Sequence, residues 1–473
     1  MEISRALEAS GSRRGLGTLI TDAPMSQKMT LQDQAHTHIK IAGEWNQLLE
    51  EIRGIPKFHN FLRPSRASEL LRNTPPNGPI ILINVDKARC DALALISGCP
   101  EPIHIPLTEF TYDQAFSLSR RLSNCLASNG VRVREENRAV RPAPERRIKS
   151  DIHFVLGVLW MEVVRPILEG LSYSVSFIFI TFLTAILIYF SFQSTQLDPH
   201  RIWWCPTGPL AFLPLHAAGI YGKTRGEQSP TGCCISEFAI SSYTPTVSAL
   251  LRINKDTANK RPLSSSELLI ISQPNTPGCS PIRETTKEMD AISKVVEAKE
   301  CKFLCLEGAV ATVRRVQLEM ASHSSIHFAC HACQDLENPL KSGFHLEDGR
   351  LELAEIMKQN ITKCELAFLS ACQTSTGDEK LSEEAVHLAA GMLAVGYRSV
   401  VATMWSIKDK YGPIVAESFY NDLMEKGTTS GRPGIDSTNA ARALHRAIQS
   451  VRQDVGDTER GLLTWVPYVH FGY

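Results

Sequence analysis

The sequence predicts an α/β fold built on a mainly parallel sheet with helices on both faces. Three observations carry that expectation. From residue 267 to 404, short apolar or β-branched runs alternate with amphipathic stretches, the pattern of successive βαβ units. Two of those runs, SSIHFACHAC at 324–333 and ELAFLSACQT at 365–374, deliver reactive side chains at their ends, His331 and Cys372. No internal repeat competes with this reading.

Taken in order, residues 31–58 place Ile39, Ile41, Trp45, Leu48, Leu49 and Ile52 near helical spacing, and EISRALEAS reads as the end of an earlier helix. The glycine-punctuated stretch between them is a loop. Helices with so little to pack on read as the remnant of a larger helical region or as a collar, so residues 1–62 are set apart from 63–473. PIILINV at 79–85 predicts a buried strand, CDALALI at 90–96 its neighbour, and residues 103–107 a third strand at the edge. Residues 111–128 predict an amphipathic helix that stops at Asn129-Gly130. Residues 131–149 are polar, basic and proline-containing, hence a loop, and 151–171 form a helix kinked at Pro166. RIWWCPTGPLAFLPLHAAGI at 201–220 gives a strand, a turn and a second apolar segment, with His216 structural. Residues 221–235 are loop-like, and a helix starts near Thr246. Strands follow at 267–274, 302–306 and 398–405, with helices at 283–298, 309–321, 353–359, 382–396, 409–426 and 438–454. GLLTWVPYVHFGY closes the chain as a strand-like end.

At 473 residues there is room for two or three domains. Lysine plus arginine and aspartate plus glutamate are 50 each, a formal charge of zero, so nucleic acid is not an expected partner. The basic patch at 132–149 is interrupted by glutamates and reads as a solvated loop. The thirteen cysteines have no regular spacing, and MEISRALEASGSRRG has no apolar signal core. Reduced thiols and a cytoplasmic location are therefore expected. One stretch points elsewhere. SVSFIFITFLTAILIYFSF at 174–192 is long and uncharged enough to span a bilayer, so a single-pass membrane protein is the alternative. A span there would separate helix 151–171 from strand 201–205, and its Phe/Ile/Leu/Ser/Thr/Tyr composition fits a retained intron or an inserted segment at 174–196.

A thiol attacks a carbonyl as thiolate, so it needs a base or a cationic neighbour, and a histidine on an adjacent strand end supplies both. His331 precedes Cys372 by 41 residues (372 − 331), room for a loop, one helix and the next strand. In a βαβ unit this puts both at the carboxyl edge of the sheet, where open α/β sheets bind ligands. The rival reading is a metal site from Cys330 and Cys333 with His327, His331 and Cys364. No second pair follows at zinc spacing, and neighbours along a strand face opposite ways. Neither a metal nor a cofactor is expected, and the cysteines other than Cys372 read as core or loop residues. No G-x-S-x-G, Walker A or Gly-rich dinucleotide motif is present.

HFACHA with LSACQT, followed by AVHLAAGMLAVGYRSVVATMWSIKD, resembles the CHAT domain, a caspase-like peptidase module often found after tetratricopeptide repeats. RIWWCPTGPLAFLPLHAAG and the closing WVPYVHFGY are similar to its fungal members, so the resemblance runs from about residue 60 to 473 apart from the insert. It implies a caspase-like three-layer αβα sandwich with 267–473 as the catalytic half. It implies a cysteine endopeptidase with His331 as general base and Cys372 as nucleophile. The backbone N–H of the residue after the histidine helps form the oxyanion hole; the family carries glycine there and this chain has Ala332. Trp405 and Asp409 stand where the family has a tryptophan and an acid near the substrate pocket, and Asp378 and Glu379 are either further acids for a basic substrate residue or surface charges. A protein substrate is implied, with protein regulators acting through upstream repeats; Met1 falls inside a helical pattern, so those repeats are expected to be absent or truncated here. The other reading is a catalytically inactive module that keeps the fold for signalling or scaffolding.

Overall fold

The computed structural model describes residues 25–131, 151–171, 199–259, 267–370, 387–425 and 435–473, with short breaks at 57, 60, 64–66, 225–226, 228, 334, 336–337, 360, 362–363 and 408. The expected helix end at EISRALEAS, the basic loop at 132–149, the apolar stretch 174–192, Cys372, Asp378 and Glu379 lie outside the described residues. The chain falls into two units, Met1–Glu69 and Leu70–Tyr473. In the first, helix α1 (Met25–Gly54) is closed by local bonds: Arg53 Nη1 meets Glu50 Oε1 at 2.8 Å and Arg53 Nε donates to the Phe61 carbonyl at 3.0 Å.

The second unit is organised by strands β1 (Ile80–Val85), β2 (Cys90–Leu95) and β3 (Ile103–Pro106), then α2 (Tyr112–Ser128). The capping box explains where α2 begins. Thr111 Oγ1 accepts from the Gln114 N–H and Gln114 Oε1 accepts from the Thr111 N–H, so two orphan donors are satisfied at once. Its buried stripe is Ala115, Leu118, Leu122, Cys125 and Leu126. Helices α3 (Asp151–Val158) and α4 (Arg165–Gly170) are joined by a π-helical turn, Leu159–Val164, in which the Arg165 N–H reaches the Trp160 carbonyl. Pro166 stands at the start of α4 directly after this wider turn, a first-turn position that a residue without an N–H occupies at little cost.

Strand β4 (His200–Pro206) follows, then β5 (Ala239–Tyr243), which the sequence reading missed because Ser241 and Ser242 break its apolar run. Next come α5 (Val247–Asn259), β6 (Glu267–Ser272), α6 (Glu284–Ala298), β7 (Lys302–Glu307), α7 (Val313–Met320) and β8 (Ser325–Ala329). Three short strands, β9 (Ala332–Cys333), β10 (Gly343–His345) and β11 (Arg350–Glu352), form a separate antiparallel sheet where a plain loop was expected. The chain continues through α8 (Leu353–Lys358), β12 (Leu366–Leu369), α9 (His387–Val395), β13 (Ser399–Thr403), α10 (Gly412–Glu425) and α11 (Ala440–Val455). The closing apolar segment is corrected in its first half. Thr458 Oγ1 accepts from the Gly461 N–H and starts helix α12 (Glu459–Trp465); only β14 (Tyr468–Gly472) is extended.

The main sheet has eleven strands in the order β3-β2-β1-β4-β5-β14-β13-β12-β8-β6-β7. From β1 to β7 it consists of two parallel blocks, β1-β4-β5-β14 and β13-β12-β8-β6-β7, which meet antiparallel at β14 and β13. Parallel strands are buried on both faces, which is why LLIIS, IHFA, LAFL and VVAT read as near-continuous apolar runs. Among the described residues no helix is long and apolar enough to cross a membrane.

One packing feature supports the edge where β8 ends, and another ties β5 to the segment before β14. Phe328 and Phe344 stack face to face with centroids 4.0 Å apart, both fully buried, fastening the small sheet to the large one. His216 is half-buried, donates from Nε2 to the Val466 carbonyl at 2.7 Å and accepts at Nδ1 from the Tyr243 hydroxyl at 2.9 Å. Burial pushes His216 down from 6.5 to about 4.

Phe328→Ala removes the stack and leaves a cavity, and is expected to lower stability by about 3–5 kcal/mol in urea unfolding. His216 makes stability acid-sensitive. Above 6.5 the ring is neutral folded or unfolded; as pH falls from 6.5 to about 4 only the unfolded chain takes the proton, so stability drops through that window. The loss reaches on the order of 3 kcal/mol. His216→Asn is expected to start less stable at pH 7 and to show a shallower decline between pH 6.5 and 4 in the same assay.

Candidate active site

Strands β6, β8, β12 and β13 end at one edge of the sheet. Ser272 is paired with Ala329, and Phe328 with Leu369, so the exits of β6, β8 and β12 are side by side. His331 lies two residues beyond β8. Beyond β12 the described chain runs to Ser370, two residues short of Cys372.

The His331 ring is fixed by backbone. Its Nε2 lies 2.7 Å from the Ser280 carbonyl oxygen, which can only accept. Nε2 therefore carries the hydrogen, and the Nδ1 lone pair is left to act as a base. The His331 backbone is held as well, since the His345 N–H donates to the His331 carbonyl at 2.8 Å. That bond also sets Ala332. With His331 and His345 joined, Ala332 and Phe344 face each other as a non-hydrogen-bonded pair, and β9 is the edge of its sheet. The Ala332 N–H is thus directed away from β10. Ala332 is not among the described residues with positive φ, which apart from glycine are Leu62 and Glu300, so its methyl is tolerated without backbone strain.

Other expected residues are placed differently from one another. Trp405 is 2 % exposed and donates from Nε1 to the Leu463 carbonyl at 3.2 Å, so its indole is held inside, behind the strand edge. Asp409 opens the 3-10 turn Asp409–Tyr411 that leads into α10. The two thiols of the C-x2-C pattern are used separately: Cys330 is fully buried, and Cys333 accepts from Arg350 Nη1 at 3.2 Å. Among the described residues no group of three or more His, Cys, Asp and Glu side chains is placed to hold a metal ion.

Two contributors were invisible in the sequence. Ser280 acts through its carbonyl, which every residue type has. Gln273 follows β6, is fully buried, and donates from Nε2 to Glu347 Oε2 at 2.8 Å, tying the turn between β10 and β11 to the sheet edge. The Gln273 N–H donates to the Ala329 carbonyl at 2.9 Å, so the same residue grips β8. Only its place directly after an apolar run could have singled it out.

The profile of the CHAT domain family matches residues 156–473. No curated protein matches the sequence. Among solved structures, the Saccharomyces cerevisiae separase–securin complex superposes with a TM-score of 0.50 at 12 % identity, covering 85 % of this chain and 30 % of that one. This chain thus spans about a third of that protein's length. The Arg-specific cysteine proteinase gingipain R gives a TM-score of 0.38 at 11 % identity, covering 60 % of this chain and 66 % of its own. The separase match places the mainly parallel, helix-flanked sheet in the caspase-like fold.

Gln273→Leu leaves Glu347 without its buried donor. It is expected to cost about 1–3 kcal/mol and to raise amide exchange in residues 343–352 ahead of the strands of the main sheet, measured by hydrogen–deuterium exchange.

Proposed function

The chain belongs to the CHAT domain family, and from that premise we propose that it is a caspase-like cysteine endopeptidase with His331 as general base and Cys372 as nucleophile. The observation that carries the proposal is the His331 ring. A histidine at a sheet edge whose Nε2–H is committed to a carbonyl presents Nδ1 as a base, and the nucleophile is sought two residues past Ser370 at the same edge.

In this mechanism the Cys372 thiol gives its proton to His331 Nδ1, and the thiolate attacks the scissile carbonyl. The negative oxygen of the tetrahedral intermediate meets the N–H groups of Ala332 and Cys372. Collapse breaks the C–N bond, the imidazolium returns its proton to the leaving amine, and a thioester remains on Cys372. Water, deprotonated by the same imidazole, then releases the acid and regenerates the thiol. The Ser280 carbonyl steadies the imidazolium and keeps the ring from rotating, without itself exchanging a proton. Trp405 backs the wall of the substrate cleft, and Asp409 offers a carboxylate to the substrate.

The substrate in this reading is a protein, and protein regulators fit it too, since the separase relative was solved in complex with securin. Residues 63–473 act as the CHAT domain, with 1–62 as a helical segment in front of it.

Cys372→Ala and His331→Ala are each expected to abolish cleavage, a loss of about a thousandfold or more, when new N-termini are labelled proteome-wide in cells expressing the full chain. A thiol-directed peptide probe is expected to modify Cys372 far faster than the other twelve cysteines. Cleavage that survives both substitutions, or a probe that shows no preference for Cys372, sinks the peptidase reading and leaves a fold kept for binding.

A further inference from the structure

Three polar side chains in the interior belong neither to the candidate dyad nor to the packing of the sheet edges. His327 sits on β8 between Ile270 and Phe368, fully buried, with its ring stacked on Phe368 at 4.7 Å. Its Nε2 lies 3.1 Å from Glu288 Oε1 and its Nδ1 lies 3.3 Å from the Tyr420 hydroxyl. A carboxylate accepts, so Nε2 donates to Glu288 and Nδ1 accepts from Tyr420. Glu288 is on α6 and Tyr420 on α10, so the trio joins a strand to two helices of one layer.

The second carboxylate oxygen has a different neighbour. A Cβ built on Gly412 would lie 2.8 Å from Glu288 Oε2, so any side chain there collides with the carboxylate. Gly412 is the first residue of α10, at the end of the helix where the dipole favours negative charge. It also directly follows the turn Asp409–Tyr411, and that turn packs on α6. One carboxylate is therefore held between β8, four residues before His331, and the helix start that carries Asp409. A buried trio of this kind is expensive against well-packed apolar side chains, and its return is a fixed register between the elements it joins.

We propose that Glu288, with His327 and Tyr420, is a positioning residue that sets the Asp409–Tyr411 turn against the strand leading to His331. The role rests on the peptidase reading for its consequence, substrate placement, but the geometry it fixes exists without turnover. Glu288→Gln tests it. The amide keeps the size and can still accept from His327, but it removes the negative charge that the start of α10 favours. Tyr420→Phe removes only the hydroxyl and serves as the milder variant.

Both are measured on the full chain by hydrogen–deuterium exchange and, with a peptide the wild type cleaves, by kcat and KM. Glu288→Gln is expected to speed exchange about tenfold in residues 328–332 and 409–412 while β1 and β4 stay at wild-type rates. It is expected to raise KM more than it lowers kcat, and to leave alkylation of Cys372 by iodoacetamide unchanged. Tyr420→Phe is expected to give the same pattern more weakly. Exchange that stays at wild-type rates in those two segments, or that rises equally in β1 and β4, overturns the proposal and reduces the trio to general packing. If the wild type cleaves nothing, the peptidase reading fails while the exchange measurement still decides this one.

Discussion

The sheet is continuous only because its last strand lies in its middle. β14 pairs with β13 over five residues, from Ser399 opposite Gly472 to Thr403 opposite Tyr468, but meets β5 at a single bridge, Phe471 with Tyr243. Side chains make up the difference. Trp203 Nε1 donates to the Gly472 carbonyl at 2.8 Å, and the buried Arg201 guanidinium reaches the same carbonyl at 3.3 Å, bonds Ser242 at 3.0 Å and lies 4.5 Å over the Trp203 ring. Burial pushes that guanidinium down to about 9. A charged group so enclosed is tolerated because its Nε and Nη2 donors are used and its plane is stacked. The block β1–β5 and the block carrying the candidate site thus share one sheet through residues at the far end of the chain. Such long-range pairing is slow to form, since loop closure must precede the contacts that reward it.

This join orders the rest of the larger unit. With β14 in place, β13, β12, β8 and β6 follow outward in parallel, and their carboxyl ends emerge together. The small sheet then clamps the exit of β8. The Phe328–Phe344 stack holds it from within, the His345 N–H fixes the His331 carbonyl, and Gln273 fastens the hairpin tip through Glu347. His331 is thereby held by its ring and by its backbone, two constraints from different parts of the chain. An imidazole so fixed has little orientational freedom left to lose, which is what the proposed mechanism asks of a base.

The sequence made the outline of this arrangement legible where the physics is local. Thr111 with Gln114 announces a capping box, Asn129-Gly130 a stop, and the buried parallel strands read as unbroken apolar runs. It failed where tertiary context overrides local signal. The serines of β5 look like loop residues until Arg201 supplies a buried partner for Ser242. Three strands of two and three residues are too short for any period to show. Gly461 looks like the end of an element and is the third residue of a helix, because the Thr458 cap outweighs its low propensity. At the site, His331 stood out by residue type and spacing. Gln273 did not, because its role follows from where β6 ends and not from a pattern around it.

The same contrast bears on Ala332. From residue type alone, alanine in place of the family's glycine suggests a damaged oxyanion hole. Under the proposed mechanism the quantity that matters is the direction of a backbone N–H, and that direction is set by the register of β9 on β10. A strand residue opposite a non-hydrogen-bonded partner turns its N–H outward whatever its side chain, and alanine takes extended φ as readily as any residue. The Ser280 carbonyl is equally indifferent to the residue that bears it. Two of the groups placed around the imidazole are thus backbone atoms oriented by the fold. A substitution at either position acts through its effect on the loop or the strand pairing, whereas one at His331 removes the imidazole itself.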